Sequence, residues 1–187
     1  MLVSFSGWAQ RGYGTLTYSI ALPMGKTSDF TDKTSFRGVG LDYHYFLIPN
    51  FSLGASVGWN VFNQEVGRVT ETYGDVTYTG NRFNYFNAIP IYVIPRYYFV
   101  PSLENSFSLY GGVGIGSVFA RQTFDLGGLR SKTDDWQFAL GPELGGIFNL
   151  PFGAGLNVNV RYNTGFESSD LPTSSYLGVN VGLVFKR

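Results

Sequence analysis

Along the chain, large apolar residues alternate with Gly, Ser, Asn or Thr at period two. In the last such segment Leu177, Val179, Val181, Leu183 and Phe185 share one face, while Gly178, Asn180 and Gly182 share the other. Side chains of a strand point alternately to the two faces of its sheet, so the segment reads as a β-strand with one apolar and one small or polar face. The pattern recurs about eight times with almost no charge on the apolar face, which predicts an all-β fold: an eight-stranded antiparallel up-and-down barrel that spans a membrane, with lipid as its outer solvent.

The predicted strands cover residues 13–22, 36–47, 51–62, 83–100, 107–119, 136–150, 156–166 and 176–185. Pro90 and Pro95 deny the fourth strand two ladder donors and predict local bulging there. Connections after the second, fourth and sixth strands are short and those after the odd strands long and polar, the asymmetry of bacterial outer-membrane barrels. In the longest, 63–82, Val69, Glu71 and Tyr73 face Val76 and Tyr78 across Gly74-Asp75, a composition that predicts a hairpin extended beyond the membrane. Residues 1–10 read as the end of a secretory signal cut near Ala9 or Gln10, or as an N-terminal arm; residues 11–187 read as a single barrel domain.

Composition supports the same class. Aromatic residues make up 18% and charged residues 14% of the chain, against about 25% charged in ordinary soluble domains, which need that charge to cover their surface. Thirteen basic residues balance thirteen acidic ones with no Lys/Arg stripe, which argues against nucleic-acid binding. With no Cys there is no disulfide or thiolate metal site, and no apolar run approaches the roughly 20 residues of a membrane helix.

A soluble lipocalin-like barrel, binding a small apolar ligand, shares the alternation but turns its apolar face inward. Charge placement separates the two. Asp42, Arg96, Glu143 and Arg161 all lie on the small or polar parity, and that parity otherwise carries Gly, Ser and Asn rather than the Lys and Glu of a water-facing surface. It therefore reads as the lumen of a barrel just wide enough for side chains to fill. Reflecting the sixth strand onto the seventh about Phe152 sets Glu143 opposite Arg161, so a lumenal charge network of ion pairs is expected. Aromatics sort by depth: Trp59, Phe62, Tyr85, Trp136, Tyr162 and Tyr176 toward the long connections, Tyr45, Tyr97, Phe99, Phe107, Phe148 and Phe185 toward the short turns, as two interfacial belts would require.

These eight alternating strands, the short and long connections in register, and a last strand carrying Tyr176, Asn180, Gly182 and Phe185 resemble the small outer-membrane β-barrel family that includes the barrels of outer membrane proteins A, X and W. The resemblance implies residence in the outer membrane of a Gram-negative bacterium, contact with outer-membrane lipid, and recognition of the last strand by the barrel-assembly machinery. That signal usually ends in an aromatic, whereas this chain ends Phe185-Lys186-Arg187.

Few motifs carry chemistry. The glycine run from Gly112 to Gly116 continues in period two instead of opening a helix, so it is not a phosphate loop. His44 is the one histidine, and its parity points into the lumen. Some outer-membrane barrels are lipid-modifying enzymes, but such a deacylase needs His and Ser together on the lipid face, and His44 is followed by Tyr45 and Phe46. Asp29, Asp32, Asp134 and Asp135 read as solvated loop charge rather than a dense cation site. The expectation is a non-enzymatic barrel without cofactor, with a structural or interaction role in the envelope. The hairpin residues Val69, Glu71, Tyr73, Val76 and Tyr78 are its candidate docking site for an envelope protein partner by strand addition.

Overall fold

The computed structural model describes residues 12–73, 76–100, 106–126, 128–150 and 154–186. The predicted signal remnant, the Gly74-Asp75 turn and the turn tips at 101–105 and 151–153 lie outside them. Eight strands follow in order: β1 (Gly12–Met24), β2 (Ser35–Ile48), β3 (Phe51–Tyr73), β4 (Val76–Tyr98), β5 (Phe107–Leu126), β6 (Leu129–Asn149), β7 (Ala154–Gly165) and β8 (Ser174–Lys186). Each pairs antiparallel with its sequence neighbours and β8 pairs back onto β1, closing a barrel. Closure pairs the strands on both sides through the membrane-spanning part of the barrel, the condition for a sheet to cross hydrocarbon.

Burial fixes the faces. Leu41 and Tyr43 are each 56% exposed, while the intervening Asp42 and His44 are 4% and 0% exposed. The apolar parity points outward all round the barrel, as Leu16, Val57, Val93, Ile115, Phe138, Leu144 and Leu183 show. A lipocalin-like barrel has the opposite polarity. From Trp136 to Phe148 the outward face of β6 rises about 30 Å along the barrel axis at a rise near 3.4 Å per residue and a tilt near 40°, enough for the hydrocarbon band with its flanking girdles.

The lumen is filled in layers. At the short-turn end Tyr13, Phe46, Tyr98, Tyr110, Ile147 and Val184 pack into one buried cluster. Toward the long hairpins Phe62, Phe86, Tyr92, Ile94, Val118, Leu171 and Tyr176 belong to a second. Glycine makes room for these rings. A Cβ on Gly145 would stand 2.7 Å from the Tyr110 ring and hydroxyl, one on Gly114 would stand 2.9 Å from Tyr92, and one on Gly54 would overlap the His44 imidazole. Phe62 and Tyr176, expected in the outer belt, are 0% and 2% exposed and meet edge-on in the lumen, ring centroids 5.5 Å apart. Their strand parity places them inside, and parity outranks depth.

The prolines do not bulge β4. The β3–β4 register is unchanged on either side of Pro90 and the β4–β5 register on either side of Pro95. Paired partners are missing at Pro90 toward β3 and at Pro95 toward β5. Successive amides of a strand point to alternate neighbours, so two prolines an odd number of residues apart remove one donor from each side. The β3 bulge lies instead between Glu65 and Gly67, where Gly67 takes φ 89°.

The predicted hairpin at 63–82 is present, β3 and β4 staying paired up to Tyr73–Val76, and the polar loop expected after the fifth strand is strand as well, β5 and β6 staying paired up to Leu126–Leu129. Lys132, Asp134 and Asp135 therefore sit on β6, not in a loop. In the first connection a short helix α1 (Lys26–Phe30) folds inward: Thr27 is buried and its Oγ1 accepts the Ser175 amide at 2.8 Å, and Phe30 packs on the adjoining cluster. Leu171 and Pro172 of the β7–β8 connection accept hydrogen bonds from Gln137. Together these two connections cover that mouth of the barrel.

Candidate functional site

Between the two aromatic layers lie Asp42 (β2), Arg96 (β4), Glu143 (β6) and Arg161 (β7), all at most 8% exposed. Glu143 and Arg161 are direct register partners. The network is larger than that pair. Arg161 donates through Nε and Nη2 to Glu143 Oε2 at 2.8 and 2.6 Å, through Nη2 to Asp42 Oδ1 at 3.3 Å and through Nη1 to Ser56 Oγ at 3.1 Å. Arg96 Nε donates to the other oxygen of Glu143, and its guanidinium lies over the Tyr110 ring at 4.3 Å. Glu143 is thus clamped between two guanidiniums, and the four charges sum to zero. In a narrow lumen that closure offsets the desolvation each ion would otherwise suffer.

Hydrogen bonds continue from the network into both layers. Toward the short turns Arg96 Nη1 donates to the Tyr13 hydroxyl at 3.0 Å, Tyr13 bonds Tyr98, Tyr98 meets Ser52 Oγ at 3.3 Å, and Ser52 meets His44 Nδ1 at 3.2 Å. His44 and Ser52, although adjacent, are both fully buried inside the barrel, and His44 stacks on Tyr13. The pair is on the wrong face for lipid chemistry. Toward the long hairpins a cavity of about 30 Å³ lies beside Asp42 and Arg161, room for roughly one or two waters.

On the last strand Tyr176 accepts from Asn60 Nδ2 at 3.2 Å, Asn180 donates to Asn159 at 2.7 Å, and Gly182 lies between Thr17 and Asn157. Phe185 is 56% exposed on the lipid face. β8 thus presents one apolar face outward and one hydrogen-bonded face inward.

The β3–β4 hairpin carries the predicted docking residues. Val69 pairs with Gly80, Glu71 with Tyr78 and Tyr73 with Val76, while Thr70–Thr79 and Thr72–Thr77 hydroxyls bond at 2.9 and 3.1 Å. β2 pairs β3 only as far as Asn60, and β5 pairs β4 only as far as Arg82. Beyond those points the hairpin's outer edges join no further strand ladder among the described residues, although Ser35 Oγ donates to the Val61 carbonyl, and from Trp59 to Tyr73 the hairpin rises roughly 35 Å.

A further charge cluster, which sequence reasoning took for loop charge, lies on the outward face of the β5–β6 hairpin. Arg121 opposes Asp134, Thr123 opposes Lys132 and Asp125 opposes Arg130. Asp134 accepts from Arg121 at 2.9 Å and pairs with Lys132 at 3.2 Å; the hydrogen bond from Lys132, then that from Arg121, holds its carboxyl below the usual range. Alternating parity across a tight turn was the signal that could have found it. Among the described residues no group of three or more His, Cys, Asp and Glu is placed to hold a metal ion.

The fold has solved counterparts. The attachment invasion locus protein Ail of Yersinia pestis superposes with a TM-score of 0.60 at 13% identity, over 95% of this chain and 99% of Ail. Neisserial surface protein A superposes at 0.59 with 16% identity, over 94% and 97%. The outer membrane protein OprG of Pseudomonas aeruginosa superposes at 0.54 with 15% identity, over 95% and 96%. Ail has also been crystallised with the heparin analogue sucrose octasulfate. At these identities the likeness is one of fold, and no curated protein matches the chain by sequence. A family model, the outer membrane protein beta-barrel domain, matches residues 2–185. With apolar residues outward on a closed barrel and a family match over nearly its whole length, the chain belongs to the outer membrane protein beta-barrel domain family and resides in the outer membrane of a Gram-negative cell.

Proposed function

We propose that this barrel is a non-catalytic interaction protein of the cell envelope, and that it docks an envelope or extracellular protein through the outer edges of the β3–β4 hairpin. The observation that carries the reading is the pair of hairpin edges above Val61 and Arg82, which join no further strand ladder among the described residues. Such edges supply a row of backbone donors and acceptors for an added strand, while alternate side chains such as Val69 and Tyr78 supply selectivity. Catalysis is disfavoured because the one histidine lies buried in the lumen, remote from lipid and solvent. Bulk transport is disfavoured because two aromatic layers and a neutral ion network fill an eight-stranded lumen. Recognition of β8 by the assembly machinery belongs to the same reading, with Phe185 as its outward aromatic.

The test is site-specific photo-crosslinking from Thr72 and Thr77 in intact cells, beside a variant whose hairpin is shortened to an Asn-Gly turn between Arg68 and Asn81. One discrete adduct that disappears with the shortened hairpin, while the barrel still folds, is the expected result. Adducts unchanged by shortening would overturn the docking reading. Reproducible channels for a sugar-sized solute in planar bilayers would overturn the closed lumen.

A further inference from the structure

The outer surface of β2–β6 is not a uniform apolar wall. Small residues, Ala55 and Ser117, interrupt the outward rows Tyr43–Ala55–Val93–Ile115 and Leu41–Val57–Ile91–Ser117, opening a groove of about 620 Å³ at mid-membrane depth. Its wall is apolar, and its upper end is Trp136. Trp136 packs on Phe119, ring centroids 5.3 Å apart, and the Arg121 guanidinium lies 5.3 Å from the Phe119 ring centroid.

Directly above this aromatic pair a second depression of about 460 Å³ is lined by Tyr85, Asn87, Arg121, Arg130 and Lys132 among others. A third, of about 430 Å³, shares Asn87 and adds Arg37 beside Tyr18 and Trp59. Arg37, Arg121, Arg130 and Lys132 set four cations against Asp125 and Asp134 along this band. The net charge is positive at headgroup depth, immediately over an apolar trough. An amphiphile with an anionic head and extended chains matches both parts at once.

We propose that the tall side of the barrel is a specific binding site for a phosphorylated lipid of the outer leaflet, an acyl chain lying in the Ala55–Ser117 groove and a phosphate held by Arg121 and Lys132. The ions already present do not forbid this. Arg121 and Lys132 both converge on Asp134, so a phosphate entering between them becomes a second acceptor for donors that one carboxylate does not exhaust. Arg contributes a planar fork and Lys a point charge, the usual combination around phosphate. Trp136 and Tyr85 mark the interface between head and tail.

The test uses the full chain, folded into phosphatidylcholine nanodiscs doped with either phosphatidylglycerol or a doubly phosphorylated multi-acyl disaccharide lipid, with the dephosphorylated disaccharide lipid as control. Native mass spectrometry after detergent extraction reads lipid retained per barrel, and the folded-band gel shift confirms that each variant is intact. Retention of a phosphorylated lipid over its dephosphorylated control is expected, falling at least about tenfold in Arg121→Gln/Lys132→Gln, which removes both charge-assisted contacts to the phosphate. Ser117→Phe, which fills the groove without touching the cations, is expected to reduce retention as well. Whichever doped lipid shows this behaviour names the source of the phosphate. Equal retention of phosphorylated and dephosphorylated lipid, or retention unchanged in both variants, would overturn the site. So would binding of soluble sucrose octasulfate to the same cations with no lipid retained.

Discussion

Two of the acidic residues of strand β6, Glu143 and Asp134, have opposite fates. Glu143 faces the lumen and has a fully buried side chain held by Arg96 and Arg161. Asp134 faces outward above the membrane, 35% exposed, and is shared by Arg121 and Lys132 at 40% and 50%. Each carboxylate meets two cations, and the chemistry of the pairs is alike. What differs is the water taken from them. In the lumen each ion is committed to its partners because the alternative is an unpaired charge in a medium that solvates it poorly, whereas the outer ions keep their hydration and lose little when separated.

The largest effect is therefore expected at Glu143. Glu143→Gln leaves both Arg96 and Arg161 without their shared counter-charge and should cost at least the ~3–5 kcal/mol of breaking one buried pair. Arg161→Met should cost less, since Glu143 keeps Arg96 and only Asp42 is stripped of its cation. The double variant is not neutral either, because Arg96 and Asp42 remain. The check is a double-mutant cycle in reversible bilayer folding, and additivity within about 0.3–0.5 kcal/mol would show that the four charges are not one unit.

Next comes the choice of face on β7. Val160→Arg, on lipid, should cost about 2–4 kcal/mol near mid-membrane. Asn159→Ser, in the lumen, loses a donor to Tyr110 and an acceptor to Asn180, so it should cost about 1–2 kcal/mol, more than an unpartnered lumen position would. A cost for Asn159→Ser that exceeds the cost for Val160→Arg in the same assay would mean that the faces are reversed.

Smaller again is the demand for space. Gly145→Ala drives a methyl against Tyr110 and Asn159 and should cost about 1–3 kcal/mol, whereas Gly40→Ala, whose nearest new neighbour is 3.5 Å away, should stay within about 0.5 kcal/mol. Thermal gel-shift midpoints compare them, and equal midpoints would show that the aromatic layers tolerate displacement.

Period-two alternation made the membrane-spanning ring legible because one parity must meet lipid and the other a crowded lumen. The same rule predicted Glu143 opposite Arg161 and the inward turn of Asp42 and Arg96. It did not reveal that Arg96 reaches Glu143, since the two stand on β4 and β6 and meet over Gly112 of the intervening β5, whose missing side chain leaves the space between them. Nor did it show the outer extents of β5 and β6. Above the membrane both faces meet water, the apolar alternation fades, and Arg121, Thr123, Lys132 and Asp134 look like loop composition although they sit in paired strands. The inward folding of α1 rests on Thr27 meeting Ser175 of β8, the strand beside β1, a contact between residues distant in sequence that has no local signature.

The weakest contrast tests the outer cluster by pH. Because Lys132 first and Arg121 second hold the Asp134 carboxyl below its ordinary value, the folded chain binds that proton less readily than the unfolded chain. The stabilisation is therefore complete above the ordinary Asp range near ~3.9 and is lost as pH falls through the lowered folded value, a window well below neutrality. A carboxyl NMR titration should place the Asp134 midpoint below that of an unpaired aspartate, and Lys132→Met should raise it. Added salt should raise it too, since exposed ions are screened beyond about 8–10 Å at physiological strength and the contact is only partly sheltered. A midpoint indifferent to both Lys132→Met and salt would mean that the Lys132 contact is not populated and that the outer cations stand free, which removes the contrast with the lumen at its outer end.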